Sequence, residues 1–103
     1  MKLKRFNIPK FEEWERQNNV ADMTLGAYRV EIRAFSWKND STLYKFAMSL
    51  SNCNALNIYT EKLFCKSFEC YGDIEKLKKW YNDTVENFYA FWENHIINTY
   101  FET

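Results

Sequence analysis

The chain has 103 residues, with 14 basic and 14 acidic side chains and no net charge at neutral pH. That balance excludes a global field able to gather nucleic acid or an anionic membrane. Aromatic residues make up 19% of the chain while Gly and Pro number two and one, so a core built from rings is expected and a low-complexity tail is not.

The length suits one α+β domain spanning residues 1–103. No apolar run approaches the roughly 18 residues of a membrane span, and MKLKRFNIPKFEEW lacks the apolar block of a secretory signal. Three cysteines, an odd number, fit reduced thiols better than a secreted disulfide framework. The expectation is a cytoplasmic protein without a membrane partner. Its Asn, Lys, Ile, Phe and Tyr content suits an AT-rich coding sequence, common in phages and low-GC bacteria.

From Met1 to Asn7 the chain is basic, with Lys2, Lys4 and Arg5 around Leu3 and Phe6. Asn7 is placed to cap a short helix with Pro9 in its first turn, where the missing N–H costs nothing. Phe11 and Trp14 share a face of that helix, Ile8 lies one turn earlier, and Asn18-Asn19 ends it.

Leu25 to Trp37 alternates in the manner of a two-faced strand. One face holds Tyr28, Val30, Ile32 and Ala34; the other holds Arg29, Glu31, Arg33, Phe35 and Trp37. A second alternation puts Tyr44, Phe46, Met48 and Leu50 on one side, with Leu43, Lys45, Ala47 and Ser49 on the other. A three-residue loop at Lys38-Asn39-Asp40 keeps like faces together and opposes Tyr28 to Leu50, Val30 to Met48, Ile32 to Phe46 and Ala34 to Tyr44. A polar loop is expected from Ser51 to Asn57. A third strand follows from Ile58 to Tyr71, whose uneven parity implies either a bulge or two short strands.

Gly72 and Asp73 open the longest helical pattern, Asp73 to about Asn98, with Asp73 as N-cap and Glu75 in the first turn. Leu77, Trp80, Tyr81, Thr84, Val85, Phe88, Phe91, Trp92, His95 and Ile96 gather with Ile74 in an arc of roughly 160°. Ile97 and Phe101 project elsewhere and Tyr100 lies at the edge, so the helix is expected to stop near Ile96. The tail then either tucks onto its own domain or meets a partner. Together these segments predict a two-layer α+β fold: a short N-terminal helix, a three-stranded antiparallel meander, and a long C-terminal helix across one sheet face.

Chemical motifs are sparse. His95, the only histidine, falls within the apolar stripe and reads as a packed side chain with one hydrogen bond to backbone. Cys53, Cys65 and Cys70 lack the short hook of a zinc site, and the five-residue step from Cys65 to Cys70 puts them on opposite strand faces. Glu12, Glu13 and Glu15 read as a solvated cluster, and no Gly-rich phosphate loop exists. No catalytic residue, metal or cofactor is expected.

The non-core hairpin face is more informative. Arg29, Arg33 and Lys45 surround Glu31 beside an apolar end of Phe35, Leu43 and Trp37, over a floor of Ala47 and Ser49. The leading structural expectation is that Phe6, Ile8, Phe11 and Trp14 fold over that end as a second small core. Where the face is open, its arginines and rings match the composition of protein-binding hot spots. The functional expectation is therefore a non-enzymatic protein-interaction module, of the inhibitor or adaptor kind that a phage or mobile element turns on a host protein. Its contact residues are Arg29, Arg33, Phe35, Trp37 and Lys45, with Tyr100 and Phe101 at the tail. A single-stranded nucleic-acid binder using Arg29, Arg33, Trp37 and Lys45 is the alternative, and a homo-oligomer through the helix end is a third reading.

Overall fold

The computed structural model describes residues 5–38, 42–53 and 60–101. In chain order these form α1 (Phe11–Arg16), β1 (Val20–Leu25), β2 (Tyr28–Lys38), β3 (Thr42–Cys53), β4 (Thr60–Tyr71) and α2 (Ile74–Ile96), followed by a π-helical turn at Ile97–Phe101. The four strands make one antiparallel meander in the order β1-β2-β3-β4. The α+β class holds, but the sheet has four strands where three were expected.

The additional strand is β1. Gly26 adopts φ +62° at the first position of a two-residue loop that joins Leu25 to its partner Tyr28, as a tight hairpin of the II′ kind demands. Leu25 therefore ends one strand instead of opening the next. Ala21, Met23 and Leu25 face inward across from Ile32, Val30 and Tyr28, while Val20, Asp22 and Thr24 face outward.

Between β2 and β3 the faces are as expected and the register is not. Val30 opposes Leu50, Ile32 opposes Met48, and Ala34 opposes Phe46, two residues away from the expected pairing. A two-residue slip leaves every side chain on its own face, so alternation could not choose between the registers. Lys38 now pairs with Thr42, and the Asn39-Asp40 part of the expected loop lies outside the described residues. Ser51, Asn52 and Cys53 extend β3 where a polar loop was expected; Ala55, Leu56, Asn57 and Ile58 lie outside the described residues.

β4 is one strand with a bulge. Leu50 pairs with Phe64 but Ser51 pairs with Lys62, which leaves Leu63 unopposed. Leu63 and Phe64 consequently both pack against the core, which accounts for the uneven parity.

α2 begins as its sequence dictates: Gly72 has φ +64°, and the Asp73 carboxylate accepts from the Lys76 N–H at 3.2 Å. Leu77, Tyr81, Thr84, Phe88, Trp92 and Ile96 are buried against the sheet. Trp80 stacks on Phe68 at 4.8 Å between centroids, and Phe64 meets both Phe88 and Phe91. The α-helix stops at Ile96 and its axis continues into the π-helical turn.

The N-terminal segment departs most from expectation. Lys10 precedes the first helical residue without a side-chain cap, and Asn7 belongs to an extended arm. The arm runs antiparallel to α2 and is tied to it by tyrosines. Tyr89 accepts from the Ile8 N–H at 3.1 Å and donates to the Phe6 carbonyl at 3.0 Å, while Tyr81 donates to the Pro9 carbonyl at 2.6 Å. Burial, before any neighbouring charge, lifts the Tyr81 phenol well above its ordinary range. Arg5 lies 4.9 Å from the Tyr89 ring, and Lys78 pairs with Glu12 at 2.8 Å.

Phe6, Phe11 and Trp14 are buried in the main core, not over Phe35 and Leu43. Phe6 packs edge-on to Phe88 and Trp92; Trp14 meets Tyr81 and Phe46. Among the described residues the expected second small core is not formed, because the arm and α2 share one sheet face. Asn18 and Asn19, both at φ 62°, then turn the chain into β1, and the Asn19 carbonyl accepts from the Ala34 N–H at 3.0 Å. The result is flat, 54 × 29 × 20 Å, with a radius of gyration of 15.2 Å, against about 13 Å for a compact 100-residue domain.

This assignment of faces makes a mutational prediction. Trp14→Ala removes a fully buried ring and is expected to cost about 3–5 kcal/mol. Phe35→Ala removes one that is 58% exposed and should stay within about 1 kcal/mol. Urea unfolding of the two variants compares them directly; equal losses would mean that both rings are core.

Candidate functional site

The outer sheet face is organised by strand parity into cross-strand rows. Val20, Arg33, Ala47 and Ser67 form one row; Phe35, Lys45 and Glu69 form the next; Asp22, Glu31, Ser49 and Cys65 flank the first on its other side. Among the described residues no helix or loop covers these rows. Ala47 and Ser67 are small, so the sheet dips between Phe35 and the Lys45–Glu69 pair into a depression of about 490 Å³. Tyr71, opposite Leu43 at the end of β4, adds a second ring that is 68% exposed.

Charges on this face are largely paired. Arg29 holds Asp22 with two hydrogen bonds of 2.9 and 2.6 Å and reaches Glu31 at 3.0 Å. Lys45 meets Glu69 at 3.1 Å, directly across the strands. Hydrogen bonding from Arg29, ahead of the charges of Arg29 and Arg33, holds the Asp22 carboxyl below its ordinary value. Arg33 is held more loosely. Its Nη2 stands 3.6 Å from Asp22 and 3.9 Å from Glu31, and its buried Nη1 has no hydrogen-bond partner.

The structure brings Arg29, Arg33, Phe35 and Lys45 together on this face. The backbone of Trp37 continues the same parity opposite Leu43, and its side chain lies outside the described residues. The side chains of Tyr100 and Phe101 also lie outside them. Their backbone prolongs α2, in the layer opposite the outer face. Asp22, Ser67, Glu69 and Tyr71 were missed. Alternation across Val20–Leu25 could have disclosed Asp22, whereas the β4 residues needed the register of a bulged strand.

The remaining candidates belong to the core or stand alone. His95 Nε2 lies 3.0 Å from the Tyr28 hydroxyl, so its partner is a side chain and not the backbone, and its ring lies against Phe91 and Trp92. Cys65 is exposed on the outer face and Cys70 is buried on the inner one, as the five-residue step requires. The Cys70 thiol lies 3.7 Å from the Asp73 carbonyl, and burial raises its pKa. The side chain of Cys53 lies outside the described residues. Among the described residues no three His, Cys, Asp or Glu side chains gather as a metal site would require, and no helix is long and apolar enough to cross a membrane.

No protein-family model, curated protein or solved structure matches the chain.

The Asp22–Arg29 pair carries a pH signature. Its carboxyl is depressed in the folded state, so its stabilisation is present above the ordinary value of 3.8 and is lost as pH falls through the depressed one. Asp22 is 38% exposed, so solvent screening limits the effect to about 0.2–1 kcal/mol. Asp22→Asn should therefore lower the urea midpoint slightly at pH 7, and by progressively less as the pH falls below 3.8. A loss of the same size at every pH would show that the charge is irrelevant.

Proposed function

We propose that the chain is a non-enzymatic protein-binding module that docks its partner on the outer face of the sheet. One observation carries the reading. The arm, α1 and α2 all spend their rings on the inner face, yet Phe35 remains 58% exposed beside the Ala47–Ser67 depression. Covering the exposed part of the Phe35 side chain is worth roughly 1–2 kcal/mol, enough to make it an anchor ringed by polar groups.

The same geometry ranks protein above single-stranded nucleic acid. A phosphate chain needs a track of available cations. Here the Arg29 guanidinium and the Lys45 ammonium already lie on Asp22, Glu31 and Glu69, and those carboxylates would repel phosphates. A mixed surface with paired charges suits the rim of a protein interface, where complementary charges set register more than affinity.

Photo-crosslinking in the native cell tests the proposal. A benzophenone amino acid at Ser67, in the depression, should form a discrete adduct with another protein. The same probe at Glu86, on the solvent side of α2, should not. Adducts from Glu86 alone, or the same adducts from both positions, would move the partner off the sheet face.

A further inference from the structure

We infer that the partner supplies an extended segment that pairs with the outer edge of β4 as a further strand, setting an apolar side chain beside Ser67 and an acidic one beside Lys66. This rests on the proposed role of the outer face and adds the form and chemistry of what binds there.

β4 is an edge strand of 12 residues, and among the described residues no strand pairs with its far side. The opposite edge, β1, has only 6. Sheets commonly shorten or blunt their edges, because an edge leaves a row of unpaired N–H and C=O groups that templates another strand. The bulge at Leu63 disturbs one end of β4 alone. From Phe64 to Tyr71 its pairing with β3 is unbroken, so the far side of that stretch keeps the regular spacing that an added strand needs.

The depression leads to the same edge. It begins at Phe35 on β2, crosses Ala47 on β3 and ends at Ser67 and Glu69 on β4. Paired strands lie about 4.8 Å apart. An outward side chain on an added strand therefore starts beside Ser67, whose small size leaves the way into the depression open. Further along that edge and on the same face, Tyr71 is 68% exposed and offers its ring to a second apolar residue. In this mode the main chain supplies affinity and the side-chain pockets choose the sequence.

Charge sets the other requirement. Glu69 is held by Lys45 at 3.1 Å, and Glu61 and Lys62 offset each other beyond the bulge. Lys66 is exposed and, among the described residues, has no ion-pair partner. It stands opposite Met48, on the inner side of the sheet, while its neighbour Ser67 faces outward. Adjacent residues of an added strand meet these two positions, one on each face, so an acid next to the apolar residue pairs with Lys66. The same lysine works against a second copy, since β4 paired with itself about Lys66 or Ser67 brings two ammonium groups together.

Random decapeptides displayed on phage, selected on the intact protein and then resynthesised, provide the probe. Recovered peptides should share Asp or Glu next to Leu, Phe, Trp or Met. N-methylation along the peptide should weaken binding about tenfold or more at alternate residues and little between them, because an edge strand bonds through every second N–H. Alternate amides between Phe64 and Tyr71 should gain protection from hydrogen exchange. Lys66→Glu should weaken binding about threefold or more, and Lys in place of the peptide's acid should restore it. Ala47→Trp, which fills the depression, should weaken binding about tenfold or more, and thermal unfolding of both variants shows that they are folded.

Equal tolerance of N-methylation at every position, with affinity still lost in Ala47→Trp, would overturn strand addition and leave the face as the docking site. Indifference to both changes would overturn the docking face as well. Full affinity in Lys66→Glu would overturn the acidic assignment. The failure to recover any peptide would overturn the inference, and the Ser67 adduct would then decide the docking face by itself. Dimerisation of the free protein, reversed by the peptides, would put a second copy in place of the partner segment.

Discussion

The ring of Trp14 lies between Tyr81 of α2 and Phe46 of β3, at centroid distances of 4.9 and 5.9 Å, while the Tyr81 hydroxyl donates to the Pro9 carbonyl at 2.6 Å. This junction joins three parts of the chain that are far apart in sequence: the N-terminal arm, the sheet and the long helix. Aromatic contacts of this kind add about 0.5–1.5 kcal/mol each beyond the area they bury. Fixing the arm beside α2 also fixes its absence from the other side of the sheet. Among the described residues nothing covers the outer face, because Phe6, Phe11 and Trp14 are spent elsewhere.

A sheet covered on one side is a stable arrangement when its other side is mixed and polar. The outer rows meet that condition through short cross-strand ion pairs and small residues, with Val20, Phe35 and Tyr71 as exceptions. Of the exposed rings, Phe35 lines the depression, and that exposed anchor is what the proposed function draws on.

Much of this was legible from residue order. Alternation separated Val30, Ile32, Phe46 and Met48 from Arg29, Arg33, Phe35 and Lys45, and the structure keeps every one of them on its expected face. The stripe on α2 and the Asp73 cap were equally plain. Register was not, because a slip of two residues preserves faces and only packing can rank the alternatives. β1 is a short alternation, Ala21, Met23 and Leu25 against Val20, Asp22 and Thr24, whose end merges with the start of β2 in the sequence pattern, and with it went Asp22 and the ion pairs that define the site. The placement of the arm was undetermined for a deeper reason. Apolar spacing shows that Phe11 and Trp14 must be covered, and either sheet face offered rings to cover them.

The claim that the arm and α2 share one face is tested most directly by nuclear Overhauser contacts from the Trp14 indole. The account predicts cross-peaks from Trp14 to the rings of Phe46 and Tyr81 and none to Phe35 or Leu43. Contacts from Trp14 or Phe11 to Phe35 would place the arm over the outer face and remove the surface on which the proposed function depends.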